Sequence, residues 1–454
     1  MTMLVRFRVG NFLSFKEIQE FSMIKGKPKN KAERIYEKSD VKLLKFAAVF
    51  GANASGKSNL VSAMMYAQEM IVKGSLKMVR FGAFKLEEQY EDMPSYFEFE
   101  IIIEGENYAY GFEIILKKQQ LVAEWLIKLS PEGDERNYII FERDILNATF
   151  DTDIKNFVSE KNERRFQVYS EDIQGDDTSL FLREMNRREK QDLYEEELDL
   201  QAIRNVFLWL GKALDVNYPD RPISDYSYFK DVAKQEEICR IISSLGTGIT
   251  NYLEKTASLE QLKNELPTDV YERLTQEIAE ETSRGKGLSI TIRINEMYYL
   301  LTVDKDGTAE VTTIAFNHGS DTEFFFSEES DGTRRILDLL DILFSNEGET
   351  YVIDEIDRSL HPCLTYKFVQ EYLRLAAKRD LQLIVTTHES RLLDFGLLRQ
   401  DEIWIANKNL GGATELYSLD EFNVRFDKKV DKAYLEGRYG GVPIFDTIFP
   451  VEGE

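Results

Sequence analysis

The chain opens with apolar residues alternating with arginine over residues 4–9, and a shorter unbroken apolar run, LLKFAAVF, occupies residues 43–50. Alternation at period two predicts a strand with one buried face, whereas the unbroken run predicts a strand covered on both faces. Over residues 58–72 the period changes, with Leu60, Val61, Met64, Met65 and Ala67 falling at helical spacing. Strand, glycine-rich turn and helix therefore follow in order. Residues 96–103, 108–116 and 138–141 are aromatic and β-branched runs that predict strands, the first two joined by a hairpin turn at EGEN, residues 104–107.

Past residue 151 the pattern becomes charged and helical. Residues 179–209 carry an apolar position every three or four, with EEELDL, residues 195–200, on an expected solvated face. Pro219 and Pro222 interrupt the pattern. Helical signals resume over 228–253 and 267–281, where Thr268 and Asp269 sit as caps would. After Gly287 strands return as LSITIRI, MYYLLTV and DGTAEVTTIAF, and the last third alternates helices with short apolar strands such as YVIDE and LQLIVTT. No internal repeat or low-complexity tract is visible.

A chain of 454 residues, 43% apolar and 12% aromatic, can bury a large core and suggests two or three lobes. Its 57 basic residues against 81 acidic ones give a net charge of −24, which opposes a chain-wide grip on DNA or an anionic membrane. Duplex binding would need a local basic face such as Arg183, Arg187, Arg188 and Lys190. No run approaches the length of a membrane helix, and Arg6, Arg8, Lys16 and Glu17 spoil the opening as a secretory signal, so a cytoplasmic protein is expected. The two cysteines, Cys239 and Cys363, fit a reducing compartment and offer no metal-ligand cluster.

The loop after the second strand reads GANASGKS and matches G-x-x-x-x-G-K-S. In such a loop the backbone N–H groups, here from Gly51 through Asn53, Ser55 and Gly56 to Asn59, curl around phosphate oxygens; Lys57 reaches the β- and γ-phosphates and Ser58 binds magnesium. An accidental Gly-Lys-Ser turn would not need the preceding strand and the following helix. A P-loop also requires a carboxylate at the end of a neighbouring buried strand. YVIDE supplies Asp354 for the ion and Glu355 for the attacking water, the competing reading being a helix cap. The strand LQLIVTT ends in His388, where an imidazole can sense the γ-phosphate; of the chain's three histidines, His361 and His388 both fall beside this expected site. Lys57 and Asp354 lie far apart in the chain, so an insertion must split the nucleotide core.

That order, with SDGTRR at residues 330–335 opening a helix shortly before the acidic pair, resembles the ABC-type heads of SMC and double-strand-break-repair ATPases, RecF-like proteins and overcoming-lysogenization-defect proteins. The resemblance implies an α/β fold: an ABC/SMC-like P-loop ATPase head with a mixed sheet, split by a mainly helical insertion. Residues 1–150 would carry the P-loop and a β-rich lobe, 151–286 the insertion, and 287–454 the signature, acidic strand, D-loop and switch histidine. It further implies that Ser330 and Gly332 contact the γ-phosphate of ATP held by the opposite subunit. In DEIDRSLHP, residues 354–362, Asp357 and Ser359 would face the partner site. VGNFLSF, residues 9–15, is similar to the first strand and turn of these heads, although Leu13 stands where an arginine or lysine is frequent. Gln119 and Gln120 lie where a magnesium-sensing glutamine could sit.

DEIWIANKN, TELYSLDEF and YLEGRYGGVP are similar to the closing strands and terminal motif of stand-alone bacterial ATPases of phage defence, of the PARIS, Septu or Menshen kind, which are encoded beside a toxin or nuclease. Taken by its residues alone, the last string is a Gly-Pro turn with two tyrosines and an arginine, equally suited to packing or to a partner contact. The resemblance thus implies an ATPase using ATP and Mg2+, with Lys57, Glu355 and His388 catalytic and the active site shared between the subunits of a homodimer or larger homo-oligomer. Its output would be to scaffold, sense or control a protein effector, a nuclease or toxin, in answer to a phage protein, with the helical lobe as docking surface. The competing expectation is a DNA-repair or DNA-clamping ATPase.

Overall fold

The structure, a computed structural model, describes residues 2–74, 81–130, 136–187, 190–218, 223, 226–230, 232–283, 287–294, 297–304, 306–345, 348–422 and 429–443. It divides into two compact units, one of Met1–Arg221, Ser345–Asp357 and Val369–Glu454, the other of Pro222–Phe344 and Arg358–Phe368. The first unit begins with strands β1 (Thr2–Gly10), β2 (Gln19–Ser22), β3 (Ile35–Tyr36), β4 (Leu43–Leu44) and β5 (Phe46–Phe50) and helix α1 (Lys57–Lys73). Strands β6 (Ser95–Ile103), β7 (Glu106–Ile115), β8 (Gln120–Leu129), β9 (Tyr138–Asp144) and β10 (Thr149–Asp151) follow. Helices α2 (Glu160–Ile173), α3 (Phe181–Asn186), α4 (Gln191–Glu196) and α5 (Leu198–Leu208) then lead to strand β11 (Leu214–Asn217).

The second unit holds α6 (Gln235–Ser244), β12 (Asn251–Ala257), α7 (Leu259–Glu265), α8 (Thr268–Ser283), β13 (Leu288–Ile294), β14 (Met297–Val303), β15 (Ala309–Asn317), β16 (Glu323–Phe325) and α9 (Asp331–Phe344). The chain closes with β17 (Thr350–Ile353), α10 (Pro362–Ala376), whose residues are divided between the units, β18 (Gln382–Thr386), β19 (Ile403–Lys408), β20 (Thr414–Ser418) and α11 (Val430–Leu435).

Two sheets build the first unit. One has seven antiparallel strands in the order β10-β9-β8-β7-β6-β1-β2. The other runs β11-β17-β18-β5-β19-β20, parallel except for its last pair, so the expected mixed sheet is present. FAAVF, TYVI and QLIVT are buried at every position, as central parallel strands require. Leu60, Met64, Ala67 and Ile71 of α1 share one core with Phe7 and Phe97 of the first sheet and Ala47 and Val49 of the second. Gln382 couples the sheets: fully buried in β18, it accepts from Leu4 N–H at 2.7 Å and donates to Leu4 O at 2.9 Å and Leu44 O at 3.1 Å. The β6–β7 hairpin turns at Glu104 and Gly105, with φ of 54° and 92°, the pair of positive values that a tight two-residue turn demands.

Helix breaks depart from the periodic expectation. Residues 179–209 form three short helices instead of one long pattern, and Glu197 of EEELDL is buried, not solvated. Its carboxylate accepts from the N–H groups of Val158 and Ser159 at 3.0 and 3.2 Å, neutralising open donors at the start of α2. Over 228–253 the helix ends at Ser244, because Gly246 and Gly248 adopt φ of 76° and 78°, and 251–257 becomes β12 paired with β15. The second unit is consequently organised around a five-stranded sheet, β12-β15-β14-β13 with β16 on β15. The stretch 151–286 is mainly helical among its described residues, yet it is not one body. Leu180, Phe181, Ile203 and Trp209 belong to the core of the first unit, and the two units change over at 221/222, 344/345, 357/358 and 368/369.

Candidate functional site

Because β5, β17 and β18 run parallel, their C-terminal ends share one edge of the sheet, where the backbone of such a sheet opens toward a ligand. The P-loop leaves the end of β5. Ala54 and Gly56 take φ of 62° and 109°, and Ser55 N–H closes on Ala52 O at 3.2 Å, which turns the loop into the start of α1. Two glycines are sterically obligatory. A Cβ on Gly51 would lie 2.4 Å from both Ala406 O and Ser55 Oγ, and one on Gly56 would lie 2.2 Å from Thr414 Oγ1. Lys57 curls over the loop, its Nζ donating to Gly51 O at 2.8 Å and Ala52 O at 3.0 Å. Burial lowers the Lys57 pKa to about 8, against the opposing pull of Asp354, Glu355 and Asp357.

The acidic pair follows β17 directly. Asp354 is 3% exposed; its N–H donates to Asn217 O at 3.0 Å and its Oδ1 accepts from Thr386 Oγ1 at 2.5 Å. The same Thr386 hydroxyl accepts the Glu355 N–H at 2.8 Å, holding Glu355 at φ 49°. A side-chain-bearing residue adopts that conformation at a cost of about 1–2 kcal/mol, so the strain sits at the carboxylate expected to handle water. Asp357 accepts from Thr387 Oγ1 at 2.6 Å and from the His388 backbone N–H at 3.3 Å. Partial burial and the Lys57 charge hold the His388 pKa below its ordinary value despite Asp357, Glu355 and Asp354, so the exposed ring is neutral at neutral pH.

The structure therefore brings together Gly51, Ser55, Gly56, Lys57, Asp354, Glu355, Asp357 and His388. Asn53 stands exposed on the loop and Ser58 is half-buried beside Lys57. Asn59 is committed elsewhere, donating to Ser14 Oγ at 2.6 Å, a hydroxyl that also accepts from Thr414 Oγ1 at 2.7 Å. Ser330 and Gly332 belong to the second unit. Ser330 Oγ accepts the Thr333 N–H at 3.1 Å and caps α9, while a Cβ on Gly332 would lie 3.1 Å from Ser359 O, so the S-x-G segment and the D-loop residue are neighbours there. His361 is a helix cap, its Nδ1 accepting the Cys363 N–H at 3.2 Å ahead of α10. Leu13 is pinned at φ 51° with its N–H on Gly82 O. Gln119 lies in the β7–β8 turn of the other sheet and Gln120 opens β8, donating to Asp177.

Sequence reasoning missed Thr386, Thr387, Asn217 and Thr414. The TTH string closing an apolar strand was the available signal for the threonines; nothing local marks Asn217 or Thr414. Asn217 is 2% exposed at the end of β11, next to Asp354, and its Nδ2 has no hydrogen-bond partner. The proposed basic face is spent internally: Arg183 donates to Lys73 O, Arg187 to Glu184, and Lys190 to Glu184 O and Met185 O, while Arg188 lies outside the described residues.

Residues 46–394 match the family described as "AAA domain, putative AbiEii toxin, Type IV TA system". The chain belongs to this family. As a P-loop AAA-domain protein it is an ATPase by membership, of a class that uses ATP with Mg2+. No curated protein matches the chain. Among solved structures it is similar to an SMC head bound to the C-winged helix domain of ScpA, at 14% identity over 91% of this chain and 97% of that one, TM-score 0.38. The SMC head domain from Thermotoga maritima aligns at 12% identity over 91% and 98%, TM-score 0.34. An Smc head with an extended coiled coil, bound to the C-terminal domain of ScpA derived from Pyrococcus furiosus, aligns at 14% over 92% and 96%, TM-score 0.36.

The AAA-domain residues fit a magnesium nucleotide on chemical grounds. The N-terminus of α1 attracts anions, and Ser58 and Asp354 are oxygen ligands of the kind Mg2+ takes alongside phosphate and water. Two buried polar atoms in this region, Ser55 Oγ and Asn217 Nδ2, have no hydrogen-bond partner among the described residues. Among the described residues no group of three or more His, Cys, Asp or Glu side chains could hold a metal. No described helix is long and apolar enough to cross a membrane.

Proposed function

We propose that the chain is a cytoplasmic ATPase whose complete active site forms between two copies, and that ATP-dependent association controls a protein effector in a defence or toxin–antitoxin setting. The observation that carries the reading is the meeting of the P-loop, Asp354–Glu355 and His388 at one edge of a parallel sheet, held by Thr386 and Thr387. Bound Mg2+ would neutralise phosphate charge in transfer to water. Lys57 and the loop N–H groups from Gly51 to Asn59 bind phosphate oxygens, Ser58 and Asp354 hold the ion, and Asn217 offers an unspent donor beside Asp354. Glu355 positions and deprotonates water; neutral His388 orients it or the terminal phosphate. Ser330 and Gly332 of a second copy complete the site, with Asp357 and Ser359 nearby at the joint. The family description supports the toxin–antitoxin and effector setting. The DNA-clamp reading draws no support from the Arg183–Lys190 segment, whose described cations are engaged by backbone carbonyls, Lys73 O among them, and by Glu184.

Mixing tests the shared site. Lys57→Ala alone and Ser330→Arg alone should each be inactive, whereas their mixture regains turnover, because one hybrid site pairs an intact P-loop with an intact Ser330. Full turnover by the wild type at a dilution where it is monomeric would overturn the composite arrangement.

A further inference from the structure

The C-terminal motif YLEGRYGGVP was singled out by sequence, has no task in the nucleotide reading, and lies against the P-loop. Tyr434 is 7% exposed, and its ring packs edge-on against Phe50 at 6.1 Å between centroids, immediately before Gly51. Its hydroxyl donates to Gly441 O at 2.7 Å, the glycine that lies against Gly51. The same side chain thus packs on the residue before the first P-loop glycine and holds the end of the motif.

The motif's own glycines are shaped for this contact. Gly440 and Gly441 take φ of 71° and 67°, a region that favours glycine in its own right. A Cβ on Gly441 would lie 2.7 Å from Ile405 Cγ2 and 3.4 Å from the Gly51 Cα; one on Gly440 would lie 2.5 Å from Tyr417 Oη. Gly441 N–H donates to Asn407 Oδ1 at 3.0 Å, which ties the turn to the end of β19, the strand whose Ala406 O stands where a Gly51 Cβ would be. Gly51 therefore lies against both β19 and the closing turn of the chain.

We infer that Tyr434 and the Gly440–Gly441 turn are positioning elements of the nucleotide site, setting the path of the P-loop at Gly51 so that its N–H groups and Lys57 meet phosphate. None of them touches a reacting atom. The inference rests on the Mg-ATP reading of the P-loop and adds a dependence of that site on the chain's closing segment. A positioning role acts on binding before it acts on chemistry: losing the hydrogen bond that holds Gly441 against Gly51 weakens phosphate binding several-fold while the water-handling Glu355 is untouched.

The test is titration of the full-length protein with Mg-ATP, with turnover and melting temperature measured on the same preparations. Tyr434→Phe, which keeps the ring and removes the hydrogen bond, should weaken Mg-ATP binding and raise KM by about fivefold, with kcat within about twofold. Gly441→Ala should weaken binding further. The control is Tyr372→Phe: its fully buried hydroxyl donates to Lys45 O at 2.8 Å, at the opposite end of β5 from Gly51. It should lower the melting temperature at least as much as Tyr434→Phe while leaving Mg-ATP affinity unchanged. Equal affinities for wild type and Tyr434→Phe would overturn the inference while leaving the nucleotide reading intact, as would equal loss of affinity in Tyr434→Phe and Tyr372→Phe. A wild-type protein that binds no Mg-ATP would overturn both.

Discussion

The two sheets of the first unit handle buried polarity in opposite ways. In the antiparallel sheet Arg143 and Glu124 are both fully buried and paired at 2.8 Å. Glu124 also accepts from Tyr110 Oη and from the N–H groups of Phe181 and Leu182, and the two terminal nitrogens of Arg143 donate to Ser179, Ile173 and Asp176 carbonyls, leaving its Nε without a partner. This pair welds α2 and α3 onto strands β7, β8 and β9. At the C-terminal edge of the parallel sheet, by contrast, Glu355 is strained, Lys57 has a depressed pKa, and Ser55 Oγ and Asn217 Nδ2 are unmatched. Buried charge that serves architecture is met by protein partners. Polarity at the candidate ligand edge is left partly unmet, and the fold tolerates the cost because surrounding packing over-determines the geometry.

The sharpest way to break this contrast is at Glu355. Glu355→Gln should keep Mg-ATP binding and lower single-turnover hydrolysis by at least about 100-fold, with little change in melting temperature; a variant hydrolysing at the wild-type rate would remove Glu355 from the chemistry. Next in size is Arg143→Met, which leaves Glu124 buried without its cation and should cost about 3–5 kcal/mol in urea unfolding. Should that variant prove as stable as wild type, the pair is not the weld described. Asn217→Ala should separate the two kinds of polarity most cleanly: deleting an unmatched buried donor should not lower the melting temperature, while turnover drops by about tenfold. Loss of stability without loss of turnover would place Asn217 with the architectural group.

The smallest effect concerns Glu402, at the N-terminal side of β19, away from the ligand edge. Full burial pushes its pKa up to about 7 against the attraction of Arg34 and Arg399, and its Oε1 has no partner. The folded state therefore holds a proton that the unfolded state releases near pH 4.5. Stability from this group is present below that pH and is lost as pH rises toward 7, by at most about 1.4 kcal/mol per pH unit. Melting temperatures recorded between pH 5 and 7.5 should converge less steeply for Glu402→Gln than for wild type, and identical slopes would exclude Glu402 as the source.

Several features of the chain were legible without coordinates because they are local. GANASGKS between an apolar strand and a helix announced the P-loop, YVIDE and LQLIVTTH announced two further strand ends, and Glu104–Gly105 announced a hairpin. Other local signals pointed the wrong way: residues 251–253 close a stretch of helical rhythm yet pair with β15, and Glu197 sits in an acidic run yet is the buried acceptor for the start of α2. Periodicity reports a preferred face, and a partner strand or an open helix end can override it.

By itself, then, the sequence determined the chemistry on offer: which side chains can cradle phosphate, hold magnesium and handle water, and that each closes or opens a regular element. Only the tertiary structure decided their company. Thr386 reaches both acidic residues because β18 lies beside β17, Asn217 meets Asp354 because an edge strand was recruited from far along the chain, and Tyr434 meets Gly51 because β19 carries the closing turn there. Such meetings depend on strand order, which is set by the burial of whole faces and leaves no mark at the individual positions it brings together.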